Sequence, residues 1–183
     1  GYRQVLQIAR SFVPGGLGGW VIYNKSEPLA PLELTIEAEE RVGADGAVVT
    51  PLNEEKLKSD LATLASRNIE ALTVCLINSF ANSEHEQRIR ALAEEVIPDI
   101  PVSLSSDVIP EMQEYERAIT TVANSYVRPR VQTYVENLTR ELSTRMQDVK
   151  LHVLRSDGGL ASARSAGELP VNLLMSGPAG GVT

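Results

Sequence analysis

The sequence predicts an α/β fold, a mostly parallel sheet with flanking helices, and two observations carry that expectation. The run Ala71-Leu72-Thr73-Val74-Cys75-Leu76-Ile77 is apolar at odd and even positions alike, as a central strand covered on both faces would be. A helical pattern precedes it, another follows it, and a second strand-like stretch begins at Val102. Helix, strand, helix and strand in short succession are the grammar of parallel strands joined by helical crossovers.

Taken in order, residues 2–10 carry Val5, Leu6, Ile8 and Ala9 and predict a short helix. It gives way to Pro14-Gly15-Gly16-Leu17-Gly18-Gly19-Trp20, whose glycines allow a flexible or tightly turned loop. This is not a P-loop, since no Lys-Ser/Thr pair follows and no clear strand precedes. From Trp20 to Val42 the pattern is irregular, with Pro28 and Pro31, then alternates through Leu32, Leu34 and Ile36, which predicts a strand or two. Gly43-Ala44-Asp45-Gly46 is a turn signal, and Ala47 to Val49 reads as the returning strand of a hairpin. The weak helical signal before residue 51 separates an N-terminal segment, 1–50, partly irregular and β, from an α/β domain over 51–183.

Asn53 has the chemistry of an N-cap, and Leu57, Leu61, Leu64 and Ala65 make a buried helix face. Ser83 with Glu86 three residues later is a capping-box signature, followed by Ile89, Leu92, Ala93 and Val96 at helical spacing. Val102 and Leu104 alternate with Ser103 and Ser105 behind Pro101, which suits the first residue of a strand. After Pro110 the period changes: Tyr115, Ala118, Ile119, Val122 and Tyr126 share one helix face, and Val131, Tyr134, Val135, Leu138 and Leu142 continue it. Pro129 removes an amide donor and crowds the carbonyl of Ser125, so a kink or restart is expected there. Leu151 to Leu154 predicts a further strand ending in Ser156-Asp157-Gly158-Gly159, then a short helix over 161–167 and an extended piece over 171–175.

Composition narrows the function classes. The 183 residues are 43% hydrophobic, enough for one good core. No apolar run approaches the roughly 20 residues of a membrane span. A net charge of -7 without a Lys/Arg cluster argues against a nucleic-acid surface. The single cysteine, Cys75, lies in an apolar run and suits a buried thiol in a reducing compartment, so the expected location is cytoplasmic. His85 and His152 lack Cys/His partners at zinc spacing, no metal site is expected, and no Gly-x-Ser-x-Gly elbow is present. The loop before the long helix gathers Asp107, Glu111, Glu114 and Glu116 beside Arg117. Such carboxylates could bind a metal or serve as acid and base, or equally form a solvated helix start, since acids favour the positive end of the helix dipole.

The pieces GYRQVLQIAR, NSFANSEHE, VSLSSDVIPEMQEYERAITTVANSYV, RSDGGLAS and LLMSGPAGGV run in this order through nearly the whole chain. In that order they resemble the hydantoinase/oxoprolinase family, and WVIYNKSEPLAPLE is most similar to the acetone-carboxylase subunit branch. The resemblance implies a ribonuclease-H-like fold of the actin and sugar-kinase ATPase type, and ATP-dependent activation of a carbonyl substrate. Hydrolysis of a cyclic amide follows in the N-methylhydantoinase A and oxoprolinase members, and carboxylation in the carboxylases. It also implies ATP and Mg2+ for the full-length enzyme and a second enzyme subunit as partner; a hydantoin, a lactam or a ketone would each suit the chemistry.

Members of that family carry two phosphate loops of the form Asp-x-Gly-Gly-Thr-x-Ser/Thr-Asp, and neither occurs here; Asp157-Gly158-Gly159-Leu160 lacks the threonine and the closing aspartate. With Gly1 an unusual start and SGPAGGV near the end, the chain is expected to be an internal fragment, inactive alone and without bound cofactor, that relies on the rest of its own polypeptide. Besides Glu114, the catalytic candidate is Asp157. The cofactor-binding candidates are Gly158 and Gly159 after a strand, and Ser176, Gly177, Gly180 and Gly181 around Pro178. The first group has a structural turn as its alternative, and the second has close packing. The opposing reading of the whole chain is a non-catalytic α/β binding or scaffold module.

Overall fold

The computed structural model describes residues 2–10, 26–146 and 150–181. The glycine-rich stretch at 14–20 and the start of the irregular segment after it lie outside these residues. α1 spans Val5–Ile8. The strand expected through Leu32, Leu34 and Ile36 is instead a 3-10 turn over Leu32–Leu34. The local bonds Leu34 N–H to Pro31 O and Thr35 N–H to Leu32 O hold it, and the Thr35 hydroxyl also donates to Pro31 O. These bonds claim the backbone groups that a strand would offer to a neighbour.

The hairpin forms as expected: β1 (Arg41–Val42) and β2 (Val48–Thr50) are antiparallel, with an irregularity between Arg41 and Val42. Gly46 takes φ +80° in its turn, and Asp45 Oδ1 accepts from Ala47 N–H. α2 (Glu54–Ala65) begins at Asn53, whose side chain accepts from Lys56 N–H, and buries Leu57, Leu61 and Leu64. Ala65, expected on that face, is exposed.

β3 (Leu72–Val74), α3 (Glu84–Val96) and β4 (Val102–Leu104) make the predicted parallel crossover, with Leu72, Thr73 and Val74 opposite Val102, Ser103 and Leu104. β3 is shorter than its apolar run, and among the described residues it pairs with β4 alone, so here it is not a central strand. The core lies between this pair and α2 and α3, and contains Leu57, Leu61, Val74, Ile89, Leu92, Ala93, Ile97, Val102 and Leu104.

The capping box does not close. Ser83 stands at the N-cap of α3 without a side-chain bond, and Asn82 Oδ1 accepts from Glu84 N–H in its place. Glu86 turns inward because three donors in the core meet its carboxylate, as set out below.

After β4 come a single turn, α4 (Ser105–Val108), and the long α5 (Glu114–Arg145), which passes through Pro129 without restarting. The face that α5 buries is rotated from the apolar one expected. Arg117, Ala118, Thr121, Val122, Asn124 and Ser125 are buried, Tyr115 and Ile119 are half-buried, and Tyr126 is 66% exposed. Farther along, Val135 is buried and Tyr134 is exposed.

The C-terminal part also departs from a mostly parallel sheet. β5 (His152–Leu154) and β6 (Leu160–Ser162) pair antiparallel, because the Asp157-Gly158-Gly159 stretch folds back as a hairpin turn instead of leading to a crossover helix. The helix expected over 161–167 accordingly starts later, as α6 (Ala163–Glu168), capped by Ser162 accepting from Ser165 N–H. The extended piece expected over 171–175 is a 3-10 turn over Pro170–Leu173, and α7 (Ser176–Gly180) follows it. Among the described residues the sheets are three strand pairs, one parallel and two antiparallel.

Candidate functional site

Two glycine motifs separated by 17 positions, from Gly159 to Ser176, come together at the C-terminal hairpin. In the turn between β5 and β6, Arg155 N–H donates to Gly159 O at 2.8 Å and Gly158 N–H to Arg155 O at 3.1 Å. Gly158 has φ +82°, a region that a side chain would make costly. Asp157 holds the turn with both oxygens: Oδ1 accepts from Gly159 N–H at 3.0 Å and Oδ2 from the Arg155 guanidinium at 2.7 Å. Asp157, Gly158 and Gly159 are nonetheless exposed.

Ser156 carries the connection to the second motif. Its N–H donates to Asn172 O at 2.7 Å, and its hydroxyl accepts from Met175 N–H at 2.9 Å, one residue before Ser176. α7 therefore starts against the turn, and near its end a β-carbon at Gly180 would come within 2.5 Å of Leu154 Cδ2. Gly180 is packed closely; at Gly177 an added β-carbon would meet nothing within 4 Å. Gly177 and Gly181 are exposed and Ser176 is half-covered.

Glu114 lies elsewhere. It is half-buried at the first residue of α5, about 15 Å along the helix axis from Asn124, where α5 meets the C-terminal unit. The acidic residues around it diverge. Asp107 pairs with Arg90 and accepts from Gln87, and Glu116 pairs with Arg10. The Arg10 guanidinium holds the Glu116 carboxyl below the usual carboxylate range. Among the described residues no group of three or more His, Cys, Asp and Glu is placed to hold a metal ion.

Sequence periodicity did not point to the buried polar residues around the strand ends. Glu86 has no exposed surface. Its Oε1 accepts from Leu76 N–H at 2.9 Å and from the Ser105 hydroxyl at 2.6 Å, and its Oε2 accepts from Ser106 N–H at 2.9 Å. One carboxylate thus ties the chain leaving β3 to the chain leaving β4. Arg117, also fully buried, donates to Leu76 O at 2.7 Å and to Glu111 O at 2.6 Å, and sits 5.6 Å from the Phe80 ring centre. Cys75 lies beside both groups. Its thiol is pushed up chiefly by burial; the Arg117 charge and the Ser105 hydroxyl oppose that, and the Glu86 charge adds to it. A further buried hydrogen bond, between His85 Nδ1 and Glu40 Oε2 at 2.7 Å, fastens α3 to the segment before β1.

On α5, Asn124 is fully buried, donates to Ser103 Oγ and Glu168 O, and accepts from Val171 N–H. One turn on, Arg128 donates to Val102 O at 2.6 Å, and burial lowers its pKa. A signal for these residues does exist in the sequence: Arg117, Thr121, Asn124 and Arg128 recur at helical spacing, as a polar stripe. A separate cavity of about 530 Å³ opens between α1, β3 and α5, lined by Leu6, Ile36, Leu72, Val74, Val122 and Tyr126 among others. The glycine motifs do not line it.

The sequence model of the hydantoinase/oxoprolinase N-terminal region matches residues 1–97, and that of hydantoinase/oxoprolinase matches residues 117–183. An uncharacterized protein of Methanocaldococcus jannaschii is 32% identical over 99% of this chain and 26% of its own length. Caprolactamase subunit alpha of Pseudomonas jessenii is 28% identical over 98% of this chain and 26% of its own. The chain therefore spans about a quarter of the length of these relatives. Among solved structures, nucleotide-free acetone carboxylase, described in connection with ATP-dependent acetone carboxylation, superposes with a TM-score of 0.79 at 27% identity, over 87% of this chain and 23% of that one.

Proposed function

Because this chain belongs to the hydantoinase/oxoprolinase family, we propose that it is part of an ATP-dependent enzyme that activates a carbonyl substrate. The activated species is either hydrolysed at a ring amide, as in an N-methylhydantoinase A type enzyme, or carboxylated, as in an acetone carboxylase subunit. In this reading the surrounding fold is ribonuclease-H-like, a second subunit completes the enzyme, and the location is cytoplasmic. Isolated residues 1–183 are inactive.

The observation that carries the reading is the hydrogen bond from Met175 N–H to Ser156 Oγ, at 2.9 Å, which brings two exposed glycine motifs of this family side by side. Their chemistry suits a phosphate-bearing ligand in part. Backbone at Gly158, Gly159, Gly177 and Gly181 is open to close approach, and the Arg155 guanidinium stands next to the turn. ATP, when bound, would supply the phosphoryl group that turns a carbonyl oxygen into a leaving group. Gly158, Gly159 and the segment from Ser176 to Gly181 would face it, and Asp157 would keep the turn in shape through its bond to Gly159 N–H. Magnesium fits these residues less well, since both Asp157 oxygens are already engaged, and no step is routed through it.

The test is ATP hydrolysis by the full-length polypeptide with its partner subunit, measured against hydantoin, 5-oxoproline and caprolactam, and against acetone with bicarbonate. Stimulation by one of these is expected. Asp157→Ala should lower that turnover by about tenfold or more, on the scale of one lost charge-assisted bond, with a melting temperature near that of the unaltered protein. No stimulation by any of the four from a folded protein would favour a binding or scaffold role, and an unchanged Asp157→Ala turnover would remove Asp157 from the site.

A further inference from the structure

We propose that Asn124 is a positioning residue that sets the Asp157-Gly158-Gly159 turn against the start of α7. The role builds on the functional reading above, in which those glycine motifs face the ligand. Five hydrogen bonds connect β4 to them through it. Asn124 is fully buried on α5, and its amide nitrogen donates to Ser103 Oγ at 3.1 Å, which anchors it on β4. The same nitrogen donates to Glu168 O at 3.2 Å, at the end of α6, and its oxygen accepts from Val171 N–H at 3.1 Å. The 3-10 turn over Pro170–Leu173 is thereby held at both its entry and its second residue.

From that turn the connection passes outward. Asn172 O receives Ser156 N–H at 2.7 Å, and Ser156 Oγ receives Met175 N–H at 2.9 Å. Beyond the side-chain bond to Ser103, every link from Asn124 to the exposed glycines is a hydrogen bond to or from the main chain, so displacing one end moves the other. An apolar side chain of similar volume in place of Asn124 would leave the Val171 N–H and the Glu168 carbonyl without these partners in a partly buried place. Asn supplies both a donor and an acceptor at one point, and Asp supplies acceptors only.

Asn124→Asp is nearly the same shape and retains the acceptor for Val171 N–H while losing both donated bonds. Amide hydrogen exchange on the folded chain reads the consequence. Protection at Ser156 and Met175 should fall about tenfold, the scale of one buried hydrogen bond. Protection at Leu72, whose N–H donates to Pro101 O, should hold. Equal loss at Leu72, or no loss at Ser156 and Met175, would make Asn124 a core residue with no positioning role.

Should Asn124→Asp fail to fold, Ser156→Ala tests the last link, since it removes only the acceptor for Met175 N–H. Met175 should lose protection while Val171 keeps it, and unchanged Met175 protection overturns the proposal. In the full-length polypeptide, calorimetric titration with AMP-PNP should show affinity weakened by about tenfold in Asn124→Asp. If the unaltered protein binds no AMP-PNP, the functional reading fails, and the exchange measurement alone still decides whether Asn124 positions the turn.

Discussion

Glu86 concentrates the physics of this molecule in one side chain. A carboxyl group without exposed surface needs hydrogen-bond donors to replace the water it gives up, and here three donors from two strand ends converge on it. Glu86→Gln keeps the volume but turns one oxygen into an NH2 that faces a donor. It should cost about 1–3 kcal/mol in urea unfolding with an unchanged m-value. A near-neutral result would mean that the three donors do not hold Glu86 as described.

Cys75 gives a pH prediction of definite sign. Its folded pKa is raised, chiefly by burial, so the native state holds the thiol proton to higher pH than the unfolded chain does. The stability that this contributes is fully present below the unfolded thiol value of about 8.5 and is lost as pH rises from there through the folded pKa. The alkaline limb of the stability profile should therefore fall, and it should be flatter in Cys75→Ala. Parallel limbs would remove Cys75 from the linkage. Alkylation of the folded protein by iodoacetamide at neutral pH should be slow for the same reason.

At the scale of the element, α5 shows how a helix with two possible faces chooses between them. Tyr115, Ile119 and Tyr126 form the more apolar stripe by sequence, yet the stripe of Arg117, Thr121 and Asn124 goes inside. The inward stripe meets hydrogen-bonding groups already waiting there: Leu76 O, Glu111 O, Ser103 Oγ and Glu168 O. Burying polar groups with partners costs little, and the β-strand backbone needed partners at its ends. Leu104→Ala, in a side chain with no exposure, should cost about 2–5 kcal/mol in denaturant melts. Ile119→Ala should cost clearly less, since Ile119 is only half-covered. Equal costs would mean that α5 is rotated from the orientation described. Pro129 illustrates a related point: the helix continues through it because tertiary contacts on both sides, at Ser125 and at Val135, hold the backbone helical.

For the whole molecule, the parallel crossover of β3, α3 and β4 forms one core, and α5 joins it to the C-terminal hairpin unit through Asn124 and Arg128. Legibility in the sequence followed the kind of signal. The N-cap at Asn53, the turn at Gly43 to Gly46, the buried leucines of α2 and the parallel pairing of residues 72–74 with 102–104 could all be read from period and turn chemistry. The glycine motifs were legible as exposed turns near a strand, and their adjacency was not, because 17 positions separate Gly159 from Ser176 and the link runs through Ser156 and Met175.

The sequence by itself determined part of the local structure: the start of α2 at its Asn53 cap, the hairpin turn at Gly43 to Gly46, the buried leucines of α2, and the family to which the chain belongs. Local propensity and side-chain period act over one or two turns, so one sequence suffices to read them. Only the tertiary structure decided that Glu86 leaves its cap for the core, that α5 buries its polar stripe, and that Asp157-Gly158-Gly159 closes an antiparallel hairpin. Each of these outcomes depends on which donors and acceptors distant segments bring to the same place, and periodicity along the chain carries no record of that.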